Sequence, residues 1–489
     1  MENTQIQSLN LIQKAFDAEA FRQNGHQLVD LLADYLDKAP KEQVGAVYPH
    51  FEPNQLYEKW QTALNDRSDS QDLSPFFQEI LQTNIHTLHP NYMGHQVASP
   101  LPVNALADFL GSLMNSGMGV YEMGSPMVAL ERVVIQETAK AIGFSAEADG
   151  ILTSGGSLGN LTALLCARSV NAGTDVWQEG NPDDASLALL VSDESHYCVN
   201  RAVKIMGWGE KGIVKVPSNS NYQMKVSELE KCYQEAQRAG KKIISVVANA
   251  CSTSTGSYDP IDAIADFCTQ YNLWLHVDGA HGGAVIFSDK YRHLVKGLER
   301  ADSVLIDFHK MLSTTALATA LIFKRGQDGY RTFAQKAAYL WENADEHEWH
   351  NLGKRTLECT KHAMSLRIYT LMRSYGKEIF AEHLDYLYDL GQEFYDLLNT
   401  QGDFEVAHQP QCNIVCFRYL PENVSSDDLN EVNSVIRKAI IHSGEFYLVQ
   451  TQLKGNIYLR TALMNPFTTL QHLKMLLEKI RATYQELFK

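Results

Sequence analysis

Four apolar runs in this chain end in residues able to do chemistry. "GILTSGGSLGNLTALLCARS" reads as strand, glycine-rich turn and helix, so Gly155, Gly156 and Ser157 would set backbone N–H groups and a hydroxyl at a helix N-terminus, where a phosphate binds well. A tight turn between strand and helix would also explain the glycines, and no Lys-Ser/Thr follows to make a Walker loop. "LALLVSDESHYCVNRAV" leaves His196 in the connection from a strand to a helix. "LWLHVDGAHGG" puts His276 and Asp278 on one face of a strand with His281 just beyond. "ADSVLIDFHKML" places Asp307, His309 and Lys310 behind a core strand, although lysine is among the residues least often buried.

Each site has a plain alternative. His196 could be a surface histidine, His276 a satisfied core histidine, and Lys310 a side chain that snorkels to water. The cluster His276, Asp278 and His281 could hold zinc, which would make the protein a hydrolase. Taken together, the residues offer a phosphate cradle, a flat ring partner, a carboxylate and an amine. Pyridoxal 5'-phosphate uses all four: its aldehyde takes a lysine as a Schiff base, here on Lys310, and its pyridine nitrogen needs an acid to keep it protonated. Burial should lower the pKa of Lys310 and free its amine for attack. The zinc reading leaves Lys310 and the glycine-rich turn unused, and no metal is expected.

The elements that would position these groups follow from pattern. Up to about residue 85, apolar residues recur at three- and four-residue spacing, as in "FRQNGHQLVDLLADYLDKA", which predicts a helical segment. From about 105 to 330, amphipathic helices alternate with "GILTS", "LALLVSD", "GIVKV", "IISVVANA", "LWLHVD", "SVLID" and "ALIFK", the signature of an α/β domain with a mostly parallel sheet. "NIVCFRYL" and "NIYLRTALM" read as strands of a smaller C-terminal α+β lobe. The expected divisions are 1–95, 96–385 and 386–489.

Forty-two Lys and Arg against 58 Asp and Glu give a net charge of -16, which argues against nucleic acid or an anionic membrane as partner. The eight cysteines form no CxxC pair, so free thiols in a reducing cytoplasm are expected. The first residues, "MENTQIQSLNLIQKAFDAEAF", do not read as a signal peptide, and a soluble cytoplasmic protein is expected.

"HVDGAHGG" followed by "ADSVLIDFHKML" resembles the group II pyridoxal-phosphate-dependent amino-acid decarboxylases, and the likeness runs from "HPNYMGHQ" near residue 89 into the C-terminal lobe. The resemblance implies a fold-type I enzyme of the aspartate aminotransferase kind, with a seven-stranded sheet flanked by helices. It implies that Lys310 carries the cofactor, Asp278 pairs with the pyridinium nitrogen and His196 stacks on the ring. Gly156, Ser157 and His309 fall where the family holds the phosphate, with Asp307 beside them; Thr253 and Ala280 fall beside the ring. Tyr339 in "QKAAYLWEN" matches the family's mobile-loop proton donor, and the family's loop crossing implies a homodimer with sites at its interface.

The sequence departs from the family pattern at Asp307, where Asn is common; a carboxylate near the phosphate requires a neutralising partner, although diaminobutyrate decarboxylases share the substitution. Lys361, in "RTLECTKHAMSLRIY", takes the place of the arginine that binds the substrate carboxylate, with Arg355 as the alternative clamp. His95 and Gln96, in "NYMGHQVASP", occupy positions that are aromatic in the aromatic-amino-acid enzymes. Their polarity points to a substrate with a polar side chain, either a small acidic amino acid or a diamino acid such as 2,4-diaminobutyrate, because a buried donor left unpaired costs about 1–3 kcal/mol. The diamino reading also draws on Glu342, Asp345, Glu346 and Glu348. Aromatic substrates stay open through Trp341 and Trp349, as does a lyase or transaminase on the same fold.

Overall fold

A computed structural model describes residues 10–65, 72–181, 186–333, 348–422 and 424–488. The chain falls into two compact units, one of Met1–Gly94, Glu431–Val449 and Phe467–Lys489, the other of His95–Asn430 and Gln450–Pro466.

The first unit is helical. Its N-terminal part contains α1 (Ala18–Lys38), α2 (Pro53–Asn65) and α3 (Ser74–Thr83). Asp17 caps α1 by accepting from the backbone N–H groups of Glu19 and Ala20, which would otherwise be unpaired in the first turn.

The second unit is built on a seven-stranded sheet in the order β1-β7-β6-β5-β4-β2-β3. The strands are β1 (Asp149–Thr153), β2 (Ser186–Ser192), β3 (Ile213–Val216), β4 (Lys241–Asn249), β5 (Trp274–Asp278), β6 (Ser303–Asp307) and β7 (Thr319–Phe323). All seven apolar runs singled out in the sequence supply a strand. β2 pairs in parallel with β3 and β4, β4 with β5, and β5 with β6. β7 runs antiparallel to both β1 and β6, so β1 points the same way as β6. β1, β5, β6 and β7 are buried along their whole length, which explains why they read as continuous rather than alternating apolar runs.

Helices of this unit that bear on the site are α4 (Pro102–Met114), α5 (Ser125–Ile142), α6 (Gly156–Asn171) and α7 (Tyr197–Ile205). α6 lies close against the sheet, and a Cβ on Gly159 would come within 2.4 Å of the Leu305 side chain of β6. That close approach draws the N-terminus of α6 to the end of β6.

A second sheet of four strands, in the order β10-β11-β9-β8, contains β8 (Phe404–Val406), β9 (Ile414–Tyr419), β10 (Val449–Leu453) and β11 (Asn456–Ala462). β9 and β11 were expected; β8 and β10 were not. A Lys454-Gly455 turn with positive φ at both residues joins β10 to β11, the conformation that suits a two-residue hairpin.

Candidate active site

Parallel strands deliver their C-terminal ends to one edge of the sheet, and the chain loads that edge with polar residues. β1 ends in the turn to α6. Gly155 precedes that helix at φ +106°, a conformation costly for any residue with a Cβ. The turn presents Gly156 and Ser157 at the helix start. β2 leads to His196, which caps α7 by accepting from the Cys198 N–H at 3.4 Å. β4 ends at Asn249, register partner of Asp278, and runs on to Cys251 and Thr253. β5 ends at Asp278 and continues to Ala280 and His281; β6 ends at Asp307 and continues to His309 and Lys310.

These residues surround a cavity of about 250 Å³ lined by Gly156, Ser157, His196, Thr253, Asp278, Ala280, Asp307, His309 and Lys310, among others. Residues spread over 155 positions of sequence, from Gly156 to Lys310, thus meet.

Asp278 is fixed in place. One carboxylate oxygen accepts from Asn160 Nδ2 at 3.0 Å, the other from the Ala280 N–H at 3.2 Å. Asn160 is itself held by His276, whose Nε2 lies 2.7 Å from Asn160 Oδ1, while His276 Nδ1 lies 2.8 Å from Ser303 Oγ. The Trp274 indole N–H donates to that same Ser303 oxygen at 2.9 Å. A buried polar chain of this kind is stable because each member is satisfied. His276 therefore acts as a core histidine, its pKa pushed down to about 4 by burial. Both of its ring nitrogens are occupied, and the zinc-hydrolase alternative, which needed it as a ligand beside Asp278 and His281, is set aside.

Asp307 and Lys310 form the second polar centre. Lys310 Nζ lies 3.1 Å from Asp307 Oδ2, and the Thr319 hydroxyl donates to Asp307 Oδ1 at 2.5 Å, across the β6–β7 register that pairs these two residues. His309 accepts from the Ala318 N–H at Nδ1 and places Nε2 3.6 Å from Asp307 Oδ2. The partner that Asp307 needs is therefore Lys310. Burial acts to lower the pKa of Lys310, but the Asp307 and Asp278 carboxylates outweigh it and the net shift is upward. The expected depression of Lys310 is thus corrected: the amine is held as an ammonium until something displaces it from Asp307. His196 moves the other way. Burial lowers its pKa, so the ring that lines the cavity stays neutral.

Other expected site residues lie elsewhere. Lys361 is sealed in the core, donating to Glu131 Oε1 and to the Leu152 carbonyl, each at 2.5 Å. Arg355 donates to Asp149 Oδ2 at 2.7 Å. Neither lines the cavity, nor do His95, which is exposed, and Gln96, which is half-buried. Glu348 pairs with Lys354 at 2.8 Å, and Trp349 has the Arg132 guanidinium over its ring at 5.6 Å. Tyr339, Trp341, Glu342, Asp345 and Glu346 lie outside the described residues. Asn160 was missed by the sequence reading, although an Asn one turn into an otherwise apolar helix was a usable signal.

Pyridoxal 5'-phosphate fits the set on chemical grounds. Lys310 offers an amine for the aldehyde, Asp278 a fixed carboxylate for the ring nitrogen, His196 a neutral ring for its face, and the start of α6 a run of N–H donors for the phosphate. A Cβ on Gly156 would stand 3.4 Å from both Asp307 oxygens, so glycine leaves that corner open.

Comparison with known proteins agrees with this geometry. Residues 53–420 match the pyridoxal-dependent decarboxylase conserved domain. An aromatic-L-amino-acid decarboxylase of Bacillus atrophaeus is 29% identical over 473 residues, covering 96% of each chain. An L-2,4-diaminobutyrate decarboxylase of Acinetobacter baumannii is 28% identical over 426 residues, 84% of this chain and 83% of that one. The crystal structure of the glutamate decarboxylase domain of a diaminobutyrate-pyruvate transaminase and L-2,4-diaminobutyrate decarboxylase from Vibrio parahaemolyticus superposes with a TM-score of 0.82 at 26% identity, covering 96% of both chains. With three quarters of its length matched and Lys310, Asp278 and His196 gathered in one cavity, the chain belongs to the pyridoxal-dependent decarboxylases, carboxy-lyases that use pyridoxal phosphate to remove carbon dioxide from amino acids.

Proposed function

We propose that the substrate is a small L-amino acid with a side-chain amine, of the 2,4-diaminobutyrate type. The observation that carries this reading is the make-up of the cavity wall. Among the described residues it contains two carboxylates, Asp278 and Asp307, no Arg, and no Phe, Tyr or Trp; its only lysine, Lys310, is committed to Asp307. An acidic side chain would find no spare cation on this wall, since its lysine is committed to Asp307. An indole or phenol would find no aromatic face on this wall. The relatives from Acinetobacter baumannii and Vibrio parahaemolyticus, both named for diaminobutyrate, support the reading; the Bacillus atrophaeus relative favours the aromatic alternative.

When bound, pyridoxal phosphate supplies an electron sink for the charge left on Cα as carbon dioxide departs. The chain's own residues prepare that step. Asp278, fixed by Asn160 and the Ala280 N–H, keeps negative charge at a constant position without reorganisation. Asp307 holds the Lys310 proton until the amine is needed. His196 stays neutral and so adds no competing positive charge at the ring. Tyr339 is proposed as the donor that returns a proton to Cα. A homodimer belongs to the same proposal, supported by the exposed Leu106, Phe109, Leu110 and Leu113 on α4, an apolar row that water does not favour.

A carbon dioxide release screen over the common amino acids plus 2,4-diaminobutyrate, ornithine and cysteine sulfinate tests the substrate. The highest kcat/KM should belong to a diamino acid; a higher value for tryptophan, tyrosine or glutamate would overturn the proposal. Sedimentation of the purified protein tests the dimer.

A further inference from the structure

One cluster of side chains beside the active site has no part in the chemistry above. Cys251 follows β4, Cys412 precedes β9 and His281 follows β5, and one ligand atom from each lies within 4.8 Å of the others. All three residues are buried. The two sulfurs stand 3.8 Å apart. That is too long for a disulfide, but two thiolates bound at ~2.3 Å to one tetrahedral zinc ion sit about 3.8 Å from each other.

His281 supplies the second, independent observation. Its Nε2 lies 2.8 Å from Asn413 Oδ1, and Asn413 Nδ2 donates to the Leu463 carbonyl at 2.8 Å, which fixes the amide orientation. Nε2 must therefore carry the hydrogen and donate, leaving the lone pair on Nδ1. Nδ1 is buried and has no hydrogen-bond partner. A bare ring nitrogen in the interior is costly unless something takes its lone pair. A metal-binding histidine held through its other nitrogen by an amide or carboxylate is the usual means of aiming such a lone pair.

We propose that Cys251, Cys412 and His281 form a site for a thiophilic cation of the zinc type at the wall of the Lys310 cavity. Two S–H bonds break as two Zn–S bonds form, the protons pass to solvent, and His281 Nδ1 donates its lone pair; no electron changes hands. Cys251 and His281 also line the cavity that holds Lys310, so the ion is reached from there and its fourth position is left to water. The cation is then linked to occupancy of the active site rather than to the stability of a remote lobe.

The test uses the full-length protein with cobalt(II) and zinc(II) as probes. Cobalt should produce a sulfur-to-metal charge-transfer band together with the visible bands of a tetrahedral site. Zinc should bind at one ion per chain, displace the cobalt spectrum and release up to two protons per ion. Cys412→Ser, which leaves the cavity wall intact, should abolish the charge-transfer band, while Cys232→Ser and Cys359→Ser, at less buried thiols, should not. Asn413→Ala should weaken zinc binding by about 10–100-fold. Should Cys412→Ser fail to fold, alkylation of the unaltered protein followed by mass spectrometry decides the matter: zinc must protect Cys251 and Cys412 and leave Cys359 reactive. Absence of the charge-transfer band, its persistence in a folded Cys412→Ser, or equal alkylation of Cys251 and Cys412 with and without zinc would each overturn the proposal.

Discussion

Lys310 is half-buried and Lys361 fully buried, and both lie within 3.1 Å of a carboxylate, yet they do different work. Lys310 and its partner Asp307 sit on a cavity wall, where two carboxylates outweigh burial and raise the lysine's pKa. Lys361 and Glu131 are 3% and 2% exposed, and there burial prevails and lowers the lysine's pKa despite the ion pair. The difference is what else each pair touches. Glu131 Oε1 accepts the Leu152 N–H at 2.9 Å and Lys361 donates to the Leu152 carbonyl, so the pair fills in for a missing strand along β1, an edge of the sheet. An edge strand must have its outward backbone groups satisfied by something, and here two side chains do it. A buried lysine is thus a chemical tool only where its surroundings leave room for a second reactant.

Breaking each pair in turn gives the sharpest contrast. Lys310→Ala should abolish turnover and leave no cofactor colour that borohydride can fix to the chain, with a loss of stability as well because the buried Asp307 is left without its partner. Glu131→Ala should cost about 3–5 kcal/mol because the Lys361 charge is stranded in the core. Turnover per folded molecule should survive. Lys361→Met combined with Glu131→Leu should cost less than the sum of the two single changes, since neither charge is then left alone, although the Leu152 N–H and carbonyl still lose their partners. If the double variant folds well but loses all turnover, Lys361 contacts substrate after all and the contrast fails.

The sequence carried one side of this contrast better than the other. The seven strands could be read because a sheet buried on both faces needs uninterrupted apolar residues, and strand ends could be read because polar residues interrupt those runs. β8 and β10 could not: β8 spans only Phe404–Val406, and β10 alternates buried and exposed positions in "VQTQL" without a strong apolar signal. Placing Lys310 needed only its position behind a strand. The direction of its pKa shift needed the 3.1 Å separation from Asp307, which no spacing supplies. Lys361 sits where motif alignment puts a substrate clamp, but only tertiary structure reveals that β1 is an edge strand with backbone groups to satisfy. Asn160 was missed for a similar reason, as its two partners lie 116 and 118 positions away.

Asn160 offers an intermediate test, since it orders the cavity from behind as Lys361 orders the sheet edge. Asn160→Leu removes the donor to Asp278 and the acceptor for His276, leaving both under-satisfied at about 1–3 kcal/mol. Because Asp278 faces the cavity, part of that loss should appear as cofactor affinity weaker by about tenfold, read by titrating cofactor-free protein with pyridoxal phosphate. A loss confined to thermal stability would place Asn160 with Lys361 as a purely structural residue.

The smallest effect, and the one that tests the contrast in its own terms, lies in alkaline solution. In cofactor-free protein the pKa of Lys310 stands above the ordinary lysine value of 10.5, so its contribution to stability is complete below 10.5 and is lost as pH rises through the folded value. The pKa of Lys361 stands below 10.5, so the folded chain releases that proton first, and the associated stability is present above 10.5 and lost as pH falls through the folded value. The two lysines therefore tilt the stability curve in opposite directions on either side of 10.5. Urea unfolding at a series of pH values from 9 upward should show Lys310→Met declining less steeply than the unaltered protein above that point. Lys361→Met should lack a rise just below it. The test rests on the opposite signs of the two slopes. Curves that tilt the same way in both variants would mean that the two buried pairs share one electrostatic environment, and that the cavity does not set Lys310 apart.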